Sequence, residues 1–171
     1  MQLLTFSIGT EHYAIESRQV IEVLPSVIPR PIPRMPPFLP GIFTHRGRLV
    51  PLVDLGWLLA DHPLQQRLST RVIVVEFVAS ADGTQSQAVR LGVKAENVLS
   101  LCSAPAAEAV LPPLQTTETA CLGRCFRIQG QTIQMIVVEH LLPPAMVATL
   151  AALAAAPSNT THRATRHVAP S

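Results

Sequence analysis

The sequence is poor in charge, lysine and aromatic residues, which limits the partners it can attract. Charged residues make up 14% of the 171-residue chain and the net charge is +2, against about 25% charged residues in an average soluble protein. Lys94 is the single lysine. So little net charge gives no strong field for nucleic acid or an anionic membrane. With seven aromatic residues, the chain also lacks a stacking surface for bases, so we expect no nucleic-acid partner.

Long apolar runs and a secretory leader are also missing. The opening MQLLTFSIGT has neither a basic region nor a long apolar stretch. The uncharged stretch at residues 141–156 contains Pro143 and Pro144 and is shorter than the ~20 residues that a membrane span needs. Three cysteines, an odd number, do not form a disulfide framework. We therefore expect a cytoplasmic protein that does not insert directly into a membrane.

Motifs for catalysis and for cofactor binding are absent. The chain has no G-x-S-x-G, no H-E-x-x-H and no glycine-rich phosphate loop, and its six histidines are scattered. Cys121 and Cys125, with Cys102 and His140, would be a poor zinc site, because C-x-x-x-C without a second pair does not match a zinc knuckle. The cysteines are better explained as small buried hydrophobes. We expect no enzyme activity, no cofactor and no metal.

Short β-prone segments separated by turn residues fill most of the chain. We expect strands at residues 3–8, 13–16, 41–44, 48–53, 71–79, 88–93, 98–102, 125–128 and 132–138. Polar or proline-containing loops are expected at 80–86 and 104–119. Many short strands at spacings of about 8–12 residues predict a mainly β fold built from barrels or a sandwich.

Three short helices are predicted between and after these strands. Ser17 is a suitable N-cap for a helix over residues 17–24, in which Val20, Ile21 and Leu24 would share one face. Asp54 can cap one or two turns through Leu59. Residues 144–156 form an alanine-rich helix with proline at its start. The tail at residues 157–171 has no apolar periodicity and is expected to be disordered.

A proline-rich run occupies residues 25–40 and contains seven prolines. Proline lacks a backbone donor, so we expect this run to extend along a sheet edge. It resembles a ligand of SH3 or WW domains. The interleaved apolar residues favour packing onto the first barrel instead: Val27, Ile28, Ile32, Met35, Phe38 and Leu39.

Three segments together resemble the CheW-like family of bacterial chemotaxis-type coupling proteins. The most specific is GIFTHRGRLVPLVDL at residues 41–55, where the family pattern is roughly G-x-x-N-x-R-G-x-x-x-P-[IV]-[IV]-D-L. Five of its positions fall in register: Gly41, Arg46, Gly47, Pro51 and Asp54. The other segments are the opening at 3–25 and the closing stretch from Leu122-Gly123 to residue 142, so the likeness covers about residues 3–142.

The resemblance implies a mainly β fold of two SH3-like five-stranded β-barrels packed side by side, with short helices and a C-terminal helix. We expect one domain at residues 1–156. Its two intertwined barrels would comprise roughly residues 17–70, and residues 71–140 plus the N-terminal strands.

The resemblance also implies a non-catalytic adapter in signal transduction. Such proteins join a CheA-like histidine kinase to methyl-accepting chemoreceptors, in receptor arrays at the inner membrane. The kinase's regulatory domain docks on the first barrel, and the receptor's cytoplasmic tip lies in the groove between the barrels. The alternative is a regulatory adapter of the same fold that binds a kinase or another signalling partner without a receptor. The segment at 67–77 and the short N-terminus look more like coupling proteins of surface-sensing systems than of motility.

The chain departs from the family pattern at two places. Thr44 replaces the usual asparagine two positions before Arg46, and Lys94 stands in an otherwise apolar stretch, GVKAENV. Both changes bear on the identity of the receptor more than on the fold.

By resemblance, Val20, Glu22 and Arg46 lie at the receptor interface. Arg46 either binds the receptor tip or fixes its own turn by pairing with a carboxylate or with backbone carbonyls. Val20 and Glu22, two apart on the predicted helix, would project differently. From the residue types alone, Val20 is a core residue and Glu22 a solvated surface charge.

Five further residues have structural explanations. Gly41, Gly47 and Gly123 are interpreted as turn residues with positive φ. Asp54 is a helix cap, and Pro51 marks an edge or a bulge in its strand.

Overall fold

Ten strands and four short helical segments account for the regular structure in the computed structural model, which describes residues 1–81, 85–104, 109–110 and 120–155. The strands are β1 (Gln2–Ile8), β2 (Glu11–Glu16), β3 (Val20–Pro25), β4 (Gly41–His45), β5 (Arg48–Asp54), β6 (Thr70–Ala81), β7 (Gln85–Ser103), β8 (Ala109–Val110), β9 (Leu122–Ile128) and β10 (Gln131–Ile136). The helices are α1 (Leu55–Ala60) and α2 (Pro144–Ala155), with 3₁₀ turns at Ser17–Gln19 and Val138–His140. The prediction of a mainly β fold is confirmed.

The first barrel contains β3, β4, β5, β6 and the first part of β7. β6 pairs antiparallel with β3 and with β7, while β5 pairs antiparallel with β4 and parallel with β7. Five strands therefore surround one small interior. Its buried side chains are Phe43, Val50, Leu52, Val72 and Val74.

The second barrel contains β1, β2, β8, β9, β10 and the last part of β7. β1 pairs with β7 from Gln2 opposite Ser103, and β2 pairs parallel with β10. β9 joins β10 to β8. The interior of this barrel is formed by Leu3, Ala14, Ala104, Phe126 and Ile133.

A larger apolar cluster joins the two barrels. It combines Phe6 and Ile15 of the second barrel with Val53 and Ile73 of the first, and Leu150 of α2 packs into it. The chain therefore has two barrel interiors and one shared core between them.

β7 belongs to both barrels, which differs from two sequence-based expectations. The separate strands expected at residues 88–93 and 98–102 are parts of one 19-residue strand. Asn97 adopts φ 46° and donates from Nδ2 to Ser7 Oγ at 2.9 Å, where the pairing with β1 shifts register. The boundary between the barrels was expected after residue 70. Strand pairing places β6 in the first barrel, so the boundary lies within β7 instead.

The predicted helix over residues 17–24 is wrong. Only Ser17–Gln19 forms a 3₁₀ turn, and β3 follows at once. Pairing with β6 shifts register between Val20 and Glu22, and this irregularity breaks strict alternation. Ile21 and Leu24 pack on the first barrel's interior while three residues apart, so a bulged strand imitates the spacing of a helix face.

The proline-rich run joins the sheet at one point. Arg30 and Ile42 form an isolated bridge, with N–O distances of 2.7 and 2.9 Å. Leu39 is buried in the shared core, and Met35 and Phe38 pack against it. Ile28 is 84% exposed, so the expected packing does not extend to every apolar residue of the run.

The remaining predicted elements agree with the structure in kind. The structure confirms the strand pairs predicted at 3–8 and 13–16, at 41–44 and 48–53, and at 125–128 and 132–138, and the helix from Pro144. Of the loop predicted at 80–86, the ends belong to β6, which reaches Ala81, and to β7, which starts at Gln85, and residues 82–84 lie outside the described residues. Most of the loop at 104–119, and the tail at 157–171, lie outside the described residues.

Candidate functional site

A tight turn between β4 and β5 presents Arg46 on the surface of the first barrel. Arg46 and Gly47 have φ values of 49° and 75°, and His45 pairs with Arg48 across the turn. Two central residues with positive φ are typical of the two-residue hairpin turns whose twist matches the strands. The Arg46 side chain is 67% exposed, so the hairpin holds a guanidinium out towards solvent.

Glu22 on β3 binds this arginine from the neighbouring strand. Arg46 Nη2 donates to Glu22 Oε2 at 3.0 Å. His45 Nε2 lies 2.9 Å from the same oxygen. Glu22 is 35% exposed, so its carboxylate connects a surface cation to a buried ring. We call Glu22, His45 and Arg46 the ion-pair cluster.

His45 is the residue of this cluster that sequence reasoning missed. It is the third inward position of β4, after Gly41 and Phe43, and it is 5% exposed. Nδ1 of its ring is buried without a hydrogen-bond partner among the described residues. Alternation along β4 was the available signal, because it places a polar residue at a core-facing position.

The cluster favours the ionised form of Glu22. The hydrogen bond from His45, reinforced by the positive charge of Arg46, holds the pKa of Glu22 below its ordinary value of 4.5, against an opposing effect of desolvation. With a neutral imidazole, the carboxylate and the guanidinium balance each other. The cluster is then uncharged overall but presents a cation at its exposed end.

Val20 lies outside the ion-pair cluster. It is partly buried and packs against the core shared by the barrels. Val20 and Glu22 face different surroundings because the β3 pairing shifts register between them, and not because they lie on a helix. The structure therefore brings Glu22 and Arg46 into contact and places Val20 beside the shared core.

Asp54 is buried and organises the end of β5. Its Oδ1 accepts from the N–H of Gly56 at 2.9 Å, which caps α1. Its carboxylate also lies 3.3 Å from the N–H of Leu64 and 3.5 Å from Lys94 Nζ. Lys94 donates to the carbonyl of Leu64 at 2.7 Å, so the chain's single lysine holds the segment after α1 against β7.

Gly41 and Gly123 are explained by close packing, not by turns. Gly41 has φ 156° at the start of β4, where a β-carbon would lie 2.6 Å from the carbonyl carbon of Arg30. Gly123 lies inside β9 without positive φ, and a β-carbon there would meet the side chain of Val137 at 3.0 Å. The interpretation of Gly123 as a turn residue is wrong. Pro51 lies opposite Ile42, one residue before β5 begins to pair with β7.

The three cysteines are thiols in partly or fully buried positions. Burial raises the pKa of Cys102, Cys121 and Cys125, which lowers the fraction of reactive thiolate. Cys125 Sγ donates to Gln134 Oε1 at 2.8 Å. Within the described ranges, no three histidine, cysteine or acidic side chains gather as metal ligands.

A second concave surface lies between α1 and the start of α2. Its volume is about 680 Å³, and its apolar lining includes Trp57, Phe38, Leu141 and Leu142. Trp57 is the single tryptophan of the chain, so its emission reports on this region. Neither α1 nor α2, over the residues described, is long and apolar enough to cross a membrane.

Two small barrels that share a strand, with a cation held on an exposed turn, define a double-barrel domain with a polar surface cluster. The chain matches the CheW-like domain over residues 2–145. It therefore belongs to the CheW-like family.

Sequence relatives and a solved structure agree with this family. The chain is 32% identical to Protein FrzA of Myxococcus xanthus over 113 residues, 66% of this chain and 65% of that protein. It is 31% identical to Chemotaxis protein CheW of Helicobacter pylori over 75 residues, 44% of this chain and 46% of the relative. The chain thus spans less than two thirds of the length of these curated relatives.

The solved structure is that of the scaffolding protein TtCheW from Thermoanaerobacter tengcongensis. It matches with a TM-score of 0.70 at 24% identity, over 83% of this chain and 87% of that one. At this identity the likeness establishes the fold of two SH3-like barrels.

Proposed function

We propose that this protein is a non-catalytic adapter that couples a CheA-like histidine kinase to methyl-accepting chemoreceptors. The observation that carries the proposal is the exposed Arg46, held by Glu22 at 3.0 Å on a rigid turn. Membership of the CheW-like family supports the same class of function. The relatives named as chemotaxis proteins, and the scaffolding protein of the same fold, also support it.

Arg46 is suited to bind a polar group on a receptor tip. A guanidinium carries five N–H donors in a fixed plane, and the contact with Glu22 uses one nitrogen, Nη2. Glu22 and the turn fix the position of the side chain before a partner arrives, which lowers the entropy cost of binding. Val20, on the same strand as Glu22, would add apolar contact beside the groove between the barrels.

The first barrel would dock the kinase's regulatory domain. It carries exposed apolar side chains on and next to its strands: Val23 is 39% exposed, Leu49 45% and Ile28 84%. Exposed apolar groups on a chain with few charges suit a contact between two barrels. The adapter would act by position, holding the kinase where a change of receptor conformation biases its activity. This role places the protein in the cytoplasm, at receptor arrays on the inner membrane.

The experiment is a pair of titrations with purified partners. Wild-type protein is titrated against the regulatory domain of the cognate kinase, and separately against the receptor's cytoplasmic tip. We expect binding to both, and we expect Arg46→Glu to weaken receptor binding by at least about tenfold while kinase binding is unchanged. Arg48→Glu is the matched control, because it makes the same charge change on the same hairpin at an exposed position.

The outcomes separate the possible adapters. Binding to the kinase alone would reject receptor coupling and support an adapter that acts on a kinase without a receptor. Equal loss with Arg48→Glu would mean that general charge, and not the held guanidinium, binds the receptor. A thermal midpoint of Arg46→Glu close to that of wild type is required, because a large drop would assign Arg46 to folding alone.

A further inference from the structure

The buried histidine of the ion-pair cluster has no place in the binding role assigned to Arg46. His45 is 5% exposed and its Nε2 lies 2.9 Å from Glu22 Oε2. Its Nδ1 is buried without a hydrogen-bond partner among the described residues. A core-facing strand position normally has an apolar side chain, so packing alone does not explain a histidine at position 45.

One carboxylate oxygen serves two donors in this cluster. Glu22 Oε2 is within hydrogen-bond distance of both His45 Nε2 and Arg46 Nη2. With a neutral imidazole the three side chains sum to zero charge. Protonation of the ring makes the sum +1, and a charged donor binds a carboxylate more strongly than a neutral one. The ring then competes better with Arg46 for the shared oxygen.

The charged residues next to His45 in the described structure come from three places. Glu22 reaches it from β3, Arg46 precedes the turn glycine, and Arg48 is its cross-strand partner on β5. Two of these are cations, so the added proton is balanced by Glu22 alone. The positive charge gained on protonation of His45 therefore adds to that of Arg46 at the exposed end of the cluster.

We propose that His45 is a positioning residue that makes the binding of an acidic partner group by Arg46 dependent on pH. Protonated His45 competes for the shared Glu22 oxygen, so Arg46 keeps its place on the turn while less of its charge is balanced by Glu22, and the site gains one positive charge. Binding to the receptor tip therefore strengthens as the pH falls from about 8 to about 6. The inference rests on the proposed function and specifies its partner chemistry, a carboxylate on the receptor tip.

The test measures receptor-tip affinity at about pH 8 and about pH 6 for three proteins. Wild type is expected to bind at least about fivefold tighter at the lower pH, a coupling of ordinary allosteric size. His45→Gln keeps a side-chain donor but cannot titrate, and is expected to lose this pH dependence. His62→Gln, which removes an exposed histidine on the segment after α1, is the control and is expected to keep it.

Because all three proteins bind the same receptor tip, any pH dependence that comes from the tip itself is common to them and cancels in the comparison. If His45→Gln keeps the full pH dependence, the inference is overturned while the proposed function stands. If no protein binds the tip at either pH, the proposed function fails. Should His45→Gln not fold, proton uptake by wild type on binding the tip, measured by calorimetry in two buffers at about pH 7, decides the question. Uptake supports the inference, and its absence overturns it.

Discussion

At the scale of single residues, the distinctive feature is a carboxylate engaged from two sides. Glu22 meets a buried ring and an exposed guanidinium through one oxygen. Its 35% exposure means that solvent screens part of this attraction, so the contribution to stability is modest. The value of the contact lies in fixing Arg46. Of the two roles considered for Arg46 from sequence, the ion pair with Glu22 provides turn support, and the interface contact stays a prediction.

The lowered pKa of Glu22 predicts how acid affects the fold. A carboxylate whose pKa is lower in the folded than in the unfolded protein stabilises the fold above its ordinary value of 4.5, and this stabilisation is lost as pH falls further. We therefore expect wild type to melt at a higher temperature than Glu22→Gln near neutral pH. The difference should shrink as pH falls below 4.5 and vanish once the pH lies below the lowered pKa that Glu22 has in the folded protein.

Glu11→Gln is the control for this measurement, because Glu11 is an exposed carboxylate at the start of β2. Its melting temperature should follow that of wild type over the whole pH series. A difference between wild type and Glu22→Gln that is constant with pH would contradict the assigned role of the Glu22 charge.

At the scale of elements, the hairpin of β4 and β5 depends on the proline-rich run beside it. Arg30 exchanges two backbone hydrogen bonds with Ile42, and this contact is possible because residue 41 has no side chain. A run of prolines offers few donors, so a single bridge fixes much of its path. Leu39 then reaches the shared core from this run.

Gly41→Ala tests this close approach. The added β-carbon would overlap the carbonyl group of Arg30, and φ at this position is also unfavourable for alanine. We expect the free energy of unfolding to fall by about 2 kcal/mol more than in Gly9→Ala, as measured by urea denaturation.

Gly9 is a suitable control because it has φ 59° and a β-carbon added there would meet no atom within 4 Å. It therefore also has a positive φ, although in the left-handed region, and it lacks the contact with Arg30. Equal losses in the two variants would show that backbone conformation alone, and not the bridge, requires glycine at position 41.

At the scale of the whole molecule, β7 and the shared core join two barrels into one unit. β7 pairs with β6 in the first barrel and with β1 in the second. Each barrel interior by itself is small, and small cores rarely stabilise a fold alone. We infer that neither barrel persists when the other unfolds.

The single tryptophan and the single tyrosine allow a direct test. Trp57 lies on α1, which follows the first barrel's β5, and Tyr13 lies on β2 of the second. We expect Trp57 fluorescence and Tyr13 absorbance to report the same urea midpoint, as for a two-state protein. Ile133→Ala, which leaves a cavity in the second barrel, should lower both urea midpoints together. The free energy of unfolding should fall by about 3 kcal/mol. A shift confined to Tyr13 would mean that the barrels unfold separately.

Local sequence was sufficient to establish the fold class, most strands and the cap of α1. Alternation and turn residues located most of the strands, since a strand's burial pattern and a turn's backbone geometry are local properties. The motif at residues 41–55 indicated the family, because turn glycine, cap and arginine recur there at fixed spacing. Asp54 also illustrates local determination, as its cap is made two residues away.

Tertiary structure decided what depends on contacts between distant residues. Glu22 and His45 are 23 positions apart, and nothing in their spacing indicates contact. The bulge of β3 gives its apolar residues helix-like spacing, and only pairing with β6 shows the strand. Packing also determines the extent of β7, the division of the barrels within it and the burial of His45. Local sequence is compatible with several backbone conformations in these places, and tertiary contacts select one of them.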